Sequence, residues 1–251
     1  MNNRLHNIKV GCCGFPRGMK AYFSQFKLVE VQQAFYKMPK LETALGWRRE
    51  APSDFEFSLK AWQLITHPPA SPTYRKAGIK VPSGAEERYG FFKPSDEVHQ
   101  AWEEIMRFAQ ALAAKVIVFQ CPPSFRETPE NVNNMREFFK SVKDSGFIFA
   151  WEPRGKWNEP TIKDLCHELG LIHCVDPLVR MPLYGQPWYF RLHGGPGYRH
   201  RYTKDELEHL KGVVGGRQCY VLFNNLNMYN DTLAFDRLLK GEAGMAGKAY
   251  H

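Results

Sequence analysis

Eight short apolar runs recur along the chain, each followed by a polar loop and most of them by a stretch with helical periodicity. They occupy residues 8–13, 28–34, 55–61, 116–121, 147–151, 172–175, 188–192 and 219–223. Their β-branched and aromatic content suits strands buried on both faces, as in parallel sheets covered by helices. Eight such units in 251 residues predict an α/β fold of the closed (β/α)8 type, a TIM barrel, formed as one domain over residues 1–251. A doubly wound open sheet is the alternative. It usually opens on a glycine-rich dinucleotide turn, and Gly11-Cys12-Cys13-Gly14 is not that pattern.

Capping signals mark the helices between the runs. Ser95 or Asp96 opens a helix whose Val98, Trp102, Ile105, Phe108 and Leu112 form one apolar stripe. Thr128 before Pro129 predicts an N-cap with proline at the first helical position, and Asn158 with Pro160 is a looser version. Thr203 with Glu206 fits a capping box, Asp231 is placed to cap the last helix, and Gly146 and Gly170 stand where helices should stop. The sixth unit is the exception, because residues 177–182 begin and end in proline and leave little room for a helix. The connection after the third strand, about 66–94, is far longer than the usual barrel loop.

Composition narrows the class of partner. With 43% hydrophobic residues the chain can bury a sizeable core, which excludes a disordered reading. Its apolar runs stop far short of the ~20 residues that span a bilayer, so no membrane partner is expected. The polar stretch 1–9 lacks the apolar centre of a secretory signal, which points to the cytoplasm. A formal net charge of +8 favours an anionic partner, whether nucleic acid, phosphorylated metabolite or acidic protein. The six cysteines include no CxxC spacing and are expected to be buried thiols.

In a barrel, chemistry gathers where strands end. Strand two carries Glu30 and Gln32, strand three ends with Lys60 and Trp62, and strand four with Gln120. Strand five ends with Glu152 and Arg154, strand six with Asp176, strand seven with Arg191 and His193, and strand eight with Asn224 and Asn225. Side chains two apart on a strand share a face, so Glu152 with Arg154, and Arg191 with His193, can each point together into the mouth. The set predicts a pocket lined by cations, carboxylates and amides; ion pairs that merely plug the barrel are the alternative.

These stretches resemble one family over nearly the whole chain. VGCCGFP at the first strand, LVEVQQAFYKMP at the second and FEFSLKAWQLITH at the third are similar to the domain-of-unknown-function 72 family, the YecE-like proteins. VFQCPPSF, WEPRGKW, YFRLHG with the following Tyr198 and Tyr202, and VLFNN continue the likeness through the eighth strand. The resemblance implies a TIM barrel similar in outline to endonuclease IV and xylose isomerase-like barrels, and no particular activity. Two positions depart from it. Cys12 and Cys13 stand where members commonly carry small hydroxyl residues, which argues against essential hydroxyl chemistry there, and Pro153 removes a ladder donor between Glu152 and Arg154.

Metal-assisted hydrolysis would draw on Glu30, Glu152, Asp176, His193 and His67, and leaves room for a divalent ion held by Glu152 and Asp176, although Arg154 and Lys60 oppose it. Metal-free chemistry would use His193 as acid or base, with Glu152 or Asp176 orienting it and Arg154, Arg191 and Lys60 holding an anion. The loop after strand seven offers Arg199 and Arg201 with exposed glycine amides for phosphate, and Tyr198 and Tyr202 for stacking; a solvated basic loop is the plainer reading. The 66–94 loop mixes Arg75, Lys76, Arg88 and Lys93 with aromatic residues, which suits a nucleic-acid groove, a lid or an oligomer contact. Together the signals predict a barrel that binds a phosphate-bearing anion at its mouth. The catalytic candidates are Glu152, His193 and Asp176, acting as a phosphoester hydrolase on nucleic acid. Glu30, Gln120, Asn224 and Asn225 join the basic and tyrosine residues as ligand contacts. An enzyme of sugar phosphates and a non-catalytic nucleic-acid-binding barrel are the competing readings.

Overall fold

A computed structural model describes residues 7–242. Strands β1 (Ile8–Cys13), β2 (Leu28–Val31), β3 (Glu56–Lys60), β4 (Ala114–Gln120), β5 (Ile148–Glu152), β6 (Leu171–His173), β7 (Trp188–Leu192) and β8 (Cys219–Phe223) form one parallel sheet in which β8 also pairs with β1. A parallel bridge from Val175 to Phe190 joins the last gap, between β6 and β7, and Arg191 N donates to Val175 O at 3.0 Å. The fold is a (β/α)8 TIM barrel, as the eight apolar runs predict.

Helices α1 (Met19–Gln25), α2 (Gln33–Tyr36) and α3 (Leu41–Glu50) follow the first two strands, and α4 (Gln63–Thr66), α5 (Pro72–Ala77) and α6 (Asp96–Leu112) follow the third. Then α7 (Pro129–Val142), α8 (Glu159–Leu169), α9 (Lys204–Val214) and α10 (Met228–Lys240) follow β4, β5, β7 and β8. Among the described residues no helix joins β6 to β7, in keeping with Pro177 and Pro182. None of the described helices is long and apolar enough to cross a membrane.

The caps explain most of the boundaries. Ser95 Oγ accepts from Val98 N, Thr128 Oγ1 accepts from Asn131 N, and Thr203 with Glu206 makes both bonds of a capping box. Gly170, at φ 66°, closes α8 in the left-handed conformation that glycine adopts without penalty. Two expectations need correction. β2 stops at Val31 because residues 33–36 coil into α2. Helix α10 starts at Met228, a turn before Asp231, whose buried carboxylate accepts from the side chains of Asn225 and Asn227 and so anchors the β8–α10 loop.

Alternation along the strands builds two cores. Leu28, Val116, Val118, Ala150, Ile172, Cys174, Tyr189 and Leu222 fill the lumen. Between sheet and helices lies an aromatic layer in which Phe119 contacts Trp102, Phe138, Phe139 and Phe149. Each fully buried aromatic ring in it contributes ~1.5–3 kcal/mol of transfer free energy. The 66–94 connection is fixed to this layer. Phe92 is fully buried against Phe119, Phe125, Phe138 and Phe139, and its amide donates to Ile65 O at 2.9 Å. All six cysteines are buried free thiols, and burial pushes Cys12 up to about 11.

Candidate functional site

The period-2 rule places Glu30, Ser58, Lys60, Gln120, Glu152 and Arg191 in the carboxyl-terminal mouth. At the centre is Arg191, fully buried. Its Nη2 donates to Glu30 Oε1 at 2.9 Å and its Nη1 donates to Glu152 Oε2 and, at 3.3 Å, to Gln120 Oε1. Nε of Arg191 has no partner among the described residues. Burial opposes the charge of this guanidinium, but Glu30 and Glu152 overcome that and hold its ionisation well above the ordinary arginine value. Glu30 is completed by the Tyr189 hydroxyl, which donates to Oε2 at 2.9 Å, and by Gln32 Nε2. The Tyr189 hydroxyl also meets Ser58 Oγ at 2.7 Å.

Glu152 joins this buried centre to a more open rim. Its Oε1 accepts from Arg154 Nε and from His193 Nε2, both at 2.9 Å. Burial pushes the carboxyl of Glu152 up, yet Arg191, His193 and Arg154 pull it further down, and it sits well below the usual carboxylate range. Asn224 Nδ2 lies 3.1 Å from His193 Nδ1, on the side of the ring away from the Nε2 contact to Glu152. Arg154 Nη2 stands 3.0 and 3.2 Å from the two ring nitrogens of His193, while its Nη1 donates to the Tyr198 hydroxyl at 3.3 Å.

Beside this network opens a cavity of about 530 Å³. Lys60, His67, Gln120, Arg154 and Tyr198 line it together with Phe35, Tyr36, Ser124 and the start of α5 at Ser71 to Thr73. Lys60 is only 5% exposed, and its Nζ lies 3.4 Å from the centroid of the Phe35 ring. Burial and the neighbouring Arg191 lower this amine to about 7, against the pull of Glu152 and Glu30. His67, held through Nδ1 by Thr66 Oγ1 at 2.8 Å, is lowered to about 3 by burial, Lys60 and Arg154, so it is neutral at physiological pH.

The other expected residues serve different ends. Asp176 accepts from the backbone amides of Leu178 and His193 through Oδ1 and Oδ2, and so fixes the start of the glycine loop. Asn225 donates to His200 O and Asp231. The Tyr202 hydroxyl accepts from Gly194 N, and its ring packs on Phe223 rather than presenting a free face. Arg199 and Arg201 are exposed, outside the residues that line the cavity. Among the described residues no three His, Cys, Asp or Glu side chains gather as a metal-binding group. Tyr189, Ser58 and Phe35 were not singled out from sequence. The first two lie two residues before Arg191 and Lys60, so the same-face rule carried one step further finds them. Gly155 seats the β5 loop: a Cβ there would fall 1.9 Å from Phe125 O, so only glycine lets the segment bearing Arg154 lie on the β4 loop.

Comparison with known proteins agrees with this fold. The family described as "Protein of unknown function DUF72" matches residues 14–248. The UPF0759 protein YunF of Bacillus subtilis (strain 168) is 25% identical over 241 residues, covering 82% of this chain and 80% of that relative. A DUF72 family protein of Enterococcus faecalis V583 superposes with a TM-score of 0.69 at 21% identity, over 93% of this chain and 97% of the other. Another, from Thermotoga maritima MSB8, gives 0.64 at 21% identity, over 94% and 100%. At such identities the structural likeness speaks for the fold alone.

Proposed function

The chain belongs to the DUF72 family, and we propose that its barrel mouth binds a small phosphate-bearing anion, with Arg154 and Lys60 as the cationic contacts. The observation that carries this reading is the cavity lining: two basic side chains, several neutral hydrogen-bonding groups and no carboxylate. Arg191 supports the site from behind, since it is fully buried and committed to Glu30 and Glu152. A volume of about 530 Å³ suits a ligand the size of a sugar phosphate. A polynucleotide is less well served, because the basic residues of the long loop are partly neutralised. Arg88 pairs with Glu97, Lys93 with Glu87, and Lys76 Nζ lies over the Tyr36 ring.

Phosphoester hydrolysis is the second reading, favoured by the 2.9 Å contact between His193 Nε2 and Glu152 Oε1. A phosphate that draws Arg154 toward itself relieves Oε1 of one of its two donors and leaves Glu152 and His193 as a proton-transfer pair. Asp176, which binds two backbone amides, positions the His193 loop in this scheme.

Thermal unfolding with inorganic phosphate, sugar phosphates, mononucleotides and a short oligonucleotide tests the binding. A ligand at a hundredfold its Kd adds about 2.7 kcal/mol of stability, which a melting curve resolves. Phosphorylated small molecules are expected to raise Tm and Arg154→Ala to remove the gain. A Tm unmoved by every phosphorylated compound overturns the reading. Phosphodiesterase and phosphatase assays with His193→Ala and Glu152→Gln, with and without magnesium, manganese or zinc, test the hydrolysis; unchanged activity in both variants overturns it.

A further inference from the structure

We propose that Lys60 is a nucleophilic amine that captures an aldehyde or ketone carbonyl of the ligand as an imine. The inference deepens the anion-binding reading and rests on it for the ligand's phosphate, but not for its carbonyl. Three observations carry it. First, Lys60 closes β3 with its side chain in the mouth, where Nζ makes no ion pair or hydrogen bond with any of the described residues, although two carboxylates share that mouth. Glu30 and Glu152 are turned to Arg191. Second, Nζ stands 3.4 Å from the centroid of the Phe35 ring, which screens one side of the amine from water, and Lys60 lines the cavity. Third, the cavity also holds Arg154, so a phosphorylated carbonyl compound can anchor its anion there and bring its carbonyl to Nζ.

A lysine with no acceptor is costly to bury as a cation and serves no ion pair, whereas a nucleophile needs its lone pair free. Burial and Arg191 lower this amine to about 7, so a substantial fraction carries that lone pair at neutral pH. The step balances without an oxidant. The nitrogen lone pair forms the C–N bond, the carbonyl π pair moves to oxygen, and a proton passes from nitrogen to oxygen to give the carbinolamine. The nitrogen lone pair then forms the C=N bond as the hydroxyl, protonated by water, leaves as water, and the hydroxide so formed takes the remaining N–H proton, giving the imine. His67, neutral beside the amine, adds no competing charge.

Reductive trapping tests this. The protein is incubated at pH 7 with glycolaldehyde phosphate or with neutral glycolaldehyde, in the presence of cyanoborohydride, and adducts are located by intact mass and peptide mapping. Lys60 is expected to be labelled at least tenfold faster than any other lysine, and Lys60→Met and Lys60→Arg to lose that adduct. Labelling spread over surface lysines, with Lys60 no faster than the rest, overturns the proposal in the wild-type protein alone. The two readings separate cleanly. Equal labelling of Lys60 by both aldehydes, with no protection by inorganic phosphate, keeps the imine and removes the phosphate. A phosphate-induced rise in Tm with Lys60 unlabelled does the reverse.

Discussion

The two ends of the barrel are plugged by the same device and differ in what is left over. At the amino-terminal end Lys9 of β1 pairs with Glu56 of β3, and the Tyr220 hydroxyl donates to the other Glu56 oxygen at 2.9 Å. One cation meets one carboxylate, both reached by solvent, with side chains 36% and 19% exposed. At the carboxyl-terminal end Arg191, Arg154 and Lys60 meet Glu30 and Glu152, and only Arg191 and Arg154 are paired. The lower plug closes on itself. The upper one keeps a buried amine without an acceptor and a cavity beside it, which is where a TIM barrel does its chemistry. An ion-pair plug is thus a structural fitting when every group in it is matched and a candidate site when a buried amine is left without an acceptor.

The strongest way to break this contrast is to remove the upper keystone. Arg191→Met leaves Glu30 buried without its counter-charge and Glu152 with Arg154 alone, and breaking such a buried pair costs ~3–5 kcal/mol. Urea unfolding is expected to show a loss of that size. A loss below ~1 kcal/mol would mean that the mouth is wetter and looser than its geometry implies.

Lys60 gives a smaller effect with a definite pH signature. Its folded value, about 7, lies below its ordinary 10.5, so between those two values the unfolded chain holds more protons and stability rises with pH. Below pH 7 both states are protonated and the penalty of burying the charge is fully present. Lys60→Met is therefore expected to be more stable than wild type by ~2–3 kcal/mol at pH 6, with the gain shrinking as pH rises toward 10. Melting curves across that range check it; a gain independent of pH would show that Lys60 is not held in this state.

Arg154 sharpens the contrast from the ligand's side. It is the half-buried cation of the rim, 27% exposed, and its loss removes a charge-assisted contact of ~1.5 kcal/mol. Arg154→Ala is expected to weaken phosphate binding about tenfold, read by titration against Tm, while costing the unliganded protein less than Arg191→Met does, because Glu152 keeps Arg191. A variant that binds phosphate as wild type does would move the anion site elsewhere.

What was legible in the sequence follows from the same physics. Alternation along a strand assigns a residue to a face, which suffices to bring Glu152, Arg154, Arg191, His193, Glu30 and Gln120 to one end of the barrel, where they contact one another. It does not say which residue it meets across the barrel. Glu30 and Arg191 are 161 positions apart, and nothing local marks Arg191 as already matched on both arms. Asp231 shows a related limit: it has the chemistry of a helix cap and is used instead to hold loop groups, which only the fold reveals. The missing sixth helix was legible because proline acts locally.

The smallest effect is expected at the lower plug, and it decides whether the two ends truly differ. Lys9→Met removes a pair that solvent already screens, and exposed pairs of this kind contribute ~0–1 kcal/mol. Glu56 keeps its Tyr220 bond and its access to water, so no stranded charge is created as it is beneath Arg191. Urea unfolding of the Lys9→Met variant is expected to show a loss under ~1 kcal/mol that fades further in high salt. Should it equal the loss for Arg191→Met, the two plugs would be equally coupled to the fold, and the unmatched amine at the upper end would no longer set it apart as the site.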